Sequence, residues 1–171
     1  IWVPAAAMRP TVSNGCSAIT DVETTSGRPD FQVLYFDGAA DEAAQFSVAM
    51  PKSWAEGTVT AQFMYGVTDA AGTDGTATVA FNLQAVSVVD DETVDVAFGT
   101  SVEVVDTTPS HVEDIAITAP TSAITIAGTK TAGSNLVFFR VWRNVSSDDL
   151  AEDAGLIGVK IHYTTDTGSD T

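Results

Sequence analysis

Apolar and polar side chains alternate along two long stretches of this chain. Between residues 58 and 67 the apolar positions are Val59, Ala61, Phe63, Tyr65 and Val67. Between residues 78 and 85 they are Val79, Phe81, Leu83 and Ala85. Since successive side chains of a strand point to opposite faces, each pattern predicts a half-buried β-strand. Turn-forming residues fill 69–75 between them, so the two strands are predicted to pair as a β-hairpin.

Shorter segments with strand character occur over most of the remaining chain. They cover residues 32–36, 46–50, 94–98, 102–104, 115–117, 124–126, 136–142 and 157–163. The alternation loses its phase near Val86 and Val88, which predicts a bulge or a crossing there. Roughly nine or ten short strands with turn signals every ~8–12 residues are typical of layered sheets. The sequence therefore predicts an all-β fold, an antiparallel β-sandwich of the jelly-roll kind.

The predicted sandwich spans residues 31–164. Residues 1–30 are the least regular part and are predicted to form an extended N-terminal arm, and residues 165–171 a C-terminal tail. One short helix is predicted over 147–154, because Ser147 is a suitable N-cap, acids fill the first turn and Gly155 can end it.

Composition excludes several partners. The chain has 171 residues, of which 44% are hydrophobic, so it can bury a core. Seven Lys and Arg oppose 23 Asp and Glu, and the formal net charge is −16. Such a surface repels phosphate backbones and anionic lipids, so neither a nucleic acid nor a membrane is expected as a partner. No apolar run approaches the ~20 residues of a spanning helix.

The acidic segment near the C-terminus is the candidate metal site. Its four carboxylates belong to Asp148, Asp149, Glu152 and Asp153. Calcium prefers such oxygen ligands. The spacing nevertheless departs from the D-x-[DN]-x-[DN]-G pattern of a known calcium loop, and a capped helix start with solvated acids is the better explanation, so no metal is predicted. No cofactor is predicted, because the chain carries no phosphate-binding or dinucleotide fingerprint.

Tryptophans suggest a second chemistry, the binding of sugar rings on flat apolar side chains. Trp142 lies in the most apolar segment, so it is predicted to pack in the core. Trp54 follows Met50-Pro51 in a predicted loop and is the candidate exposed glycan platform. The favoured interpretation of Trp54 is nevertheless an aromatic plug at one end of the sandwich.

An enzyme that cleaves glycans is the remaining alternative. It requires two carboxylates that converge in a cleft roughly 5–10 Å apart. The acids of this chain cluster instead in turns such as 90–92, where they are usually solvated. The protein is therefore predicted not to be an enzyme.

Several stretches together resemble a known group of proteins. They are Trp2–Pro10 with Gly15-Cys16, Met50-Pro51 with Trp54, Phe138–Arg143, Asp148-Asp149 and Asp153–Ile161. In these the chain resembles small virion proteins of tailed bacteriophages, of the marine or environmental type, which include capsid decorations, head fibres and tail fibres.

The resemblance implies a non-enzymatic structural protein that works by packing against itself and other virion proteins. It implies a homo-oligomer, with a trimer as the leading expectation, and a location in the virion after assembly in the host bacterial cytoplasm. It implies no catalytic residue. The alternative function is a carbohydrate-binding module that recognises a host surface glycan.

Overall fold

The computed structural model describes residues 1–68, 74–131 and 133–166. Its secondary structure is almost entirely strands. In chain order these are β1 (Trp2–Pro4), β2 (Arg9–Pro10), β3 (Thr20–Val22), β4 (Phe31–Phe36), β5 (Ala43–Ala49), β6 (Trp54–Val67), β7 (Thr78–Val88), β8 (Val102–Thr107), β9 (Ala116–Ile117), β10 (Ala127–Gly128), β11 (Leu136–Arg143) and β12 (Ala154–Thr165). A single turn of 3₁₀ helix, Ala5–Ala7, separates β1 from β2. Within the described ranges, no helix is long and apolar enough to cross a bilayer.

The strands form two six-stranded sheets. Sheet A has the order β3-β4-β12-β6-β9, with β1 added beside β12. Sheet B has the order β10-β7-β11-β5-β2, with β8 added beside β7. The pairings between the described strands are antiparallel except the two-residue contact of β10 with β7, and an isolated bridge between Gly15 and Ala43 is also parallel. The predicted all-β sandwich is confirmed.

The core lies between the sheets, and β6 and β7 face each other across it. The predicted hairpin of these two strands is therefore wrong. β6 pairs with β12 and β9 in sheet A, whereas β7 pairs with β11, β8 and β10 in sheet B. The two strands meet face to face, with the Phe63 and Phe81 rings stacked at 5.2 Å and Tyr65 edge-on to Phe81. Their buried faces point at each other, so the intervening connection joins the sheets. Most of that connection, residues 69–73, lies outside the described residues.

The N-terminal 30 residues contribute to both sheets. β1 pairs with β12 in sheet A, and the terminal ammonium of Ile1 donates to the carbonyl oxygen of Ile161 at 2.8 Å. β2 then pairs with β5 in sheet B. At the other end β12 extends to Thr165, and the predicted tail beyond residue 166 lies outside the described residues.

The predicted helix over 147–154 is wrong, because Arg143 competes for its backbone groups. The buried Arg143 guanidinium donates to the carbonyl oxygens of Leu150 and Glu152. The Leu150 N–H donates to Thr78 O at 3.1 Å, so it makes no intrahelical bond. The segment therefore runs without regular structure along the start of β7.

No bulge interrupts β7 at Val86 and Val88. Both residues stay in register with β11, opposite Phe138 and Leu136. Their outward side chains are buried because residues 89–99, which include a predicted strand over 94–98, cross above them without pairing. Gly99 ends this crossing segment by donating its N–H to Ala85 O at 3.1 Å.

Candidate functional site

A row of long polar side chains crosses the outer face of sheet B. Arg9 of β2 pairs with Gln45 of β5, Gln45 pairs with Arg140 of β11, and Arg140 pairs with Gln84 of β7. Directly paired residues on neighbouring strands share a face. These four residues, hereafter the polar row, therefore stand side by side across four strands.

Strand alternation directs the polar row to the outside. In β11, Phe139 and Val141 flank Arg140 and are fully buried in the core. In β5 and β7, Ala44, Phe46, Leu83 and Ala85 occupy the equivalent buried positions. The outward positions can then carry polar groups without placing them between the sheets.

The polar row forms the floor of a groove between two segments that lie on the sheet. Its lining residues are Arg9, Pro10, Thr11, Val12, Ser13, Gln45, Gln84, Phe98 and Arg140, and its volume is about 560 Å³. One wall is the chain after β2, and the other is the end of the crossing segment at Phe98. We refer to this depression as the central groove.

The central groove continues along the strands into an apolar trough. Arg9, Gln45 and Phe98 also line the adjoining depression, whose other residues are Val86, Val94, Val96 and Phe138. A further depression beside Val94 and Phe138 extends to Leu136, and the acids Asp90, Asp91 and Glu92 also line it. From Arg140 to Leu136 the floor spans four residues of β11, or ~13 Å at the usual rise of a strand.

Trp142 supports the groove from beside the polar row. The Arg140 guanidinium carbon lies 5.9 Å from the centroid of the Trp142 ring, within cation–π range. Trp142 pairs with Asn82, which donates to Glu103 at 2.9 Å on the same face. The prediction that Trp142 packs in the core is wrong, because its alternation with Val141 and Arg143 points it away from the other sheet.

The polar row has unused hydrogen-bonding capacity. Among the described residues, the side chains of Arg9, Gln45, Gln84 and Arg140 make no hydrogen bond or ion pair. Arg143 in the same strand differs sharply, because its guanidinium is bound by Asp148 at 2.9 and 3.0 Å and by three carbonyl oxygens. The groove floor thus offers amide and guanidinium groups that are free to bind a ligand.

Trp54 is not available to a ligand. It begins β6 and is only 1% exposed, as part of the hydrophobic core. The prediction of an exposed Trp54 platform is wrong, because Trp54 pairs with Thr165 of β12 and its ring turns inward. The favoured interpretation, an aromatic plug that closes the sandwich, fits this position.

The candidate calcium ligands do not converge. The Asp148 carboxylate is bound to Arg143 and accepts the Ala80 N–H at 3.2 Å. Asp149 accepts the N–H and hydroxyl of Thr78 at 2.6 and 2.8 Å, and these bonds lower the pKa of its carboxyl. Glu152 and Asp153 use their carbonyl oxygens toward Arg143 and Thr68. In the part of the chain that the structure describes, no three acidic, His or Cys side chains form a metal cluster.

Burial raises the pKa of several titratable groups, and none of these groups lines the central groove. Desolvation raises the pKa of the Cys16 thiol to about 12, in keeping with its burial in the core. Burial also raises the pKa of Tyr65, whose hydroxyl is bonded to Asp106 at 3.2 Å. Both groups serve packing.

Sequence reasoning missed the polar row although it carries a readable signal. Gln45, Gln84 and Arg140 each interrupt an otherwise apolar strand at an outward position. That signal marks a polar patch on a sheet face only after the three strands are known to be neighbours. Strand order, which alternation does not encode, brings them together.

Comparisons with known proteins find similarity at the level of structure. No protein-family model matches the chain. No curated protein matches it either.

Three solved structures illustrate that similarity. A Family 11 carbohydrate-binding module from Clostridium thermocellum, in complex with a mixed-linked tetrasaccharide, has 11% identity and a TM-score of 0.45, with 94% of this chain and 98% of that one covered. A carbohydrate-binding module specific for non-crystalline cellulose (CBM28) has 11% identity and a TM-score of 0.49, with 92% and 89% covered. A Paenibacillus cycloisomaltooligosaccharide glucanotransferase has 12% identity and a TM-score of 0.45, with 90% of this chain covered.

This chain spans only 18% of the length of the glucanotransferase. The likeness to all three proteins is one of chain arrangement. No individual side chain of this protein is assigned a role from them.

Proposed function

We propose that this protein is a carbohydrate-binding β-sandwich and that the central groove on sheet B is its binding site. The observation that carries the proposal is the polar row: four long side chains that make no hydrogen bond or ion pair with the described residues, in register across four strands and beneath two walls. Sites for small ligands commonly combine apolar walls with a few polar groups of fixed position.

The chemistry of the groove matches that of a sugar. Hydroxyl groups on a sugar ring both donate and accept hydrogen bonds, and the amides of Gln45 and Gln84 can do both in return. The apolar C–H face of the ring can pack on Phe98 and Phe138, which border the groove and the trough. A trough of ~13 Å along the strands suits an oligosaccharide better than a single sugar.

Truncating a single side chain that lines the groove is expected to weaken glycan binding without unfolding the protein. We expect Gln84→Ala and Phe98→Ala each to lower affinity by roughly threefold to tenfold, the effect of losing about one neutral hydrogen bond or a partly buried contact. A glycan array followed by calorimetric titration of the best oligosaccharide measures this.

Gln32→Ala is the matched control, because Gln32 is an exposed amide on β4 of the opposite sheet. If no glycan binds the unmodified protein, or if the control loses as much affinity as Gln84→Ala, the proposed function is wrong.

A structural role in an assembly is the second candidate, and a different surface supports it. Val112, Ile115 and Ile117 lie near the β9 edge of sheet A and are 43%, 54% and 57% exposed. Exposed apolar side chains at a sheet edge are typical of surfaces that another subunit covers. Packing of copies around a symmetry axis would bury them, in accordance with the homo-oligomer, in particular the trimer, that the phage resemblance implies.

The oligomer is tested by mass in solution. We expect light scattering at micromolar concentration to give a multiple of 17.8 kDa, and the double variant Ile115→Ser/Ile117→Ser to shift the mass toward one chain. Val94→Ser, at a position 71% exposed in the crossing segment above sheet B, should leave the mass unchanged. A stable single chain for the unmodified protein contradicts the oligomer.

A location in a virion and the absence of catalysis stay predictions. Imaging of a purified phage particle, with this chain located in its density, tests the first. Incubation of the protein with glycans that it binds, followed by analysis of chain length, tests the second.

A further inference from the structure

We propose that the central groove selects an acidic glycan, whose carboxylate or sulfate group binds between Arg9 and Arg140. This inference rests on the proposed carbohydrate-binding function and specifies its ligand class. Its first support is the distribution of positive charge in the chain. The chain has only seven Lys and Arg against 23 acids, yet two of those seven cations line one groove.

Neither arginine has a counter-ion in the part of the chain that the structure describes. Arg143 has Asp148 as a buried partner, and Lys130 donates to Ile126 O at 2.9 Å. Arg9 and Arg140 have no such acceptor, although 23 acids are present in the chain. The lining of the central groove includes no carboxylate. The groove is thus a locally cationic surface on a strongly anionic protein, and it favours an anionic ligand.

The register places Arg9 and Arg140 on either side of Gln45. Gln45 pairs with Arg9 on one side and with Arg140 on the other, so the two arginines are two strand spacings apart, or ~10 Å between Cα atoms. Side chains as long as arginine can both reach an anion above Gln45. Guanidinium groups bind carboxylates and sulfates through paired N–H donors, which makes such contacts both stronger and more selective than neutral ones.

Trp142 and Gln84 complete the arrangement. Stacking on Trp142 restricts the Arg140 guanidinium before a ligand arrives, which lowers the entropic cost of binding. Gln84, on the far side of Arg140, is then free to bond a neighbouring hydroxyl. The site would thus bind the anionic group and a hydroxyl group of the adjoining sugar at the same time.

The test compares ligands that differ only in charge. An oligogalacturonate is titrated beside its methyl ester, and a sulfated galactan oligosaccharide beside its desulfated form, each by calorimetry at low and high salt. We expect the charged member of at least one pair to bind at least tenfold more tightly than its neutral form, with an advantage that shrinks as salt rises. The pair that shows the effect distinguishes a carboxylate from a sulfate ligand.

Arginine variants test whether the preference for the charged ligand arises in the central groove. Arg9→Gln and Arg140→Gln should each weaken the charged ligand by about 10- to 100-fold, as expected for a charge-assisted hydrogen bond, and change the neutral ligand little. Arg28→Gln, at an exposed position outside the groove, is the control for lost charge and should change neither. Thermal unfolding of all three variants tests whether each is folded.

The outcomes separate the two proposals. If the neutral and charged ligands bind equally, or if Arg28→Gln matches the groove variants, the charge selection is wrong while carbohydrate binding stands. If no member of either pair binds and a broad array of neutral glycans also fails, both proposals are wrong.

Discussion

Replacing Arg143 by methionine is expected to lower the free energy of unfolding by about 3–5 kcal/mol, as removal of one partner from a buried ion pair does. Both side chains of the Arg143–Asp148 pair are essentially inaccessible to solvent. The variant leaves the Asp148 carboxylate buried without its cation. It also leaves the carbonyl oxygens of Phe36, Leu150 and Glu152 without their donor. Equilibrium unfolding in denaturant measures the loss.

Two further variants show which part of the loss is electrostatic. Arg140→Met, two residues away on the outer face of β11, removes an arginine without a buried counter-ion and is expected to cost less than 1 kcal/mol. The double variant Arg143→Met/Asp148→Leu removes both charges but restores none of the three carbonyl partners. We expect it to remain less stable than the unmodified protein, and full recovery would show that the hydrogen bonds contribute little.

Replacing Trp54 by alanine is expected to cost about 3–5 kcal/mol of unfolding free energy, the usual range for a buried large aromatic side chain. Trp54 closes one end of the core at the start of β6, where it is essentially fully buried. The resulting cavity lies between the sheets, where the surrounding strands cannot collapse into it. Thermal or denaturant unfolding followed by circular dichroism measures the effect.

Trp54→Phe is the matched variant. Phenylalanine keeps most of the ring volume and removes the buried indole N–H, which has no hydrogen-bond partner among the described residues. We therefore expect Trp54→Phe to lose much less stability than Trp54→Ala, and equal losses would contradict a packing role. A loss of glycan binding in Trp54→Ala would reflect unfolding, because the residue does not line the central groove.

The hydrogen bonds of Arg143 also explain why the helix predicted over 147–154 does not form. Ser147, the acids after it and Gly155 together look like a capped helix in sequence. The helix does not form because its carbonyl groups and two of its carboxylates bind β7 and the end of β11 instead. The partners in β7, Thr78 and Ala80, are about 70 residues away along the chain, so no local pattern reports them.

Period-two alternation was sufficient to predict the layered β fold. The pattern at Val59–Val67 and at Val79–Ala85 reports that one face of each strand is buried, and both strands form where predicted. It does not report which strand lies beside which, because the hydrogen bonds within a sheet join backbone groups common to all residues. The two strands that looked like a hairpin therefore lie in opposite sheets.

The same distinction applies to the site. The sequence alone determined a strongly anionic, all-β chain, because charge and burial pattern are properties of each residue and its near neighbours. Only the tertiary structure decided that Trp54 faces inward while Trp142 faces outward, since that depends on which face of each strand meets the other sheet. It also assembled Arg9, Gln45, Gln84 and Arg140, which are far apart along the chain, by pairing four strands in one register.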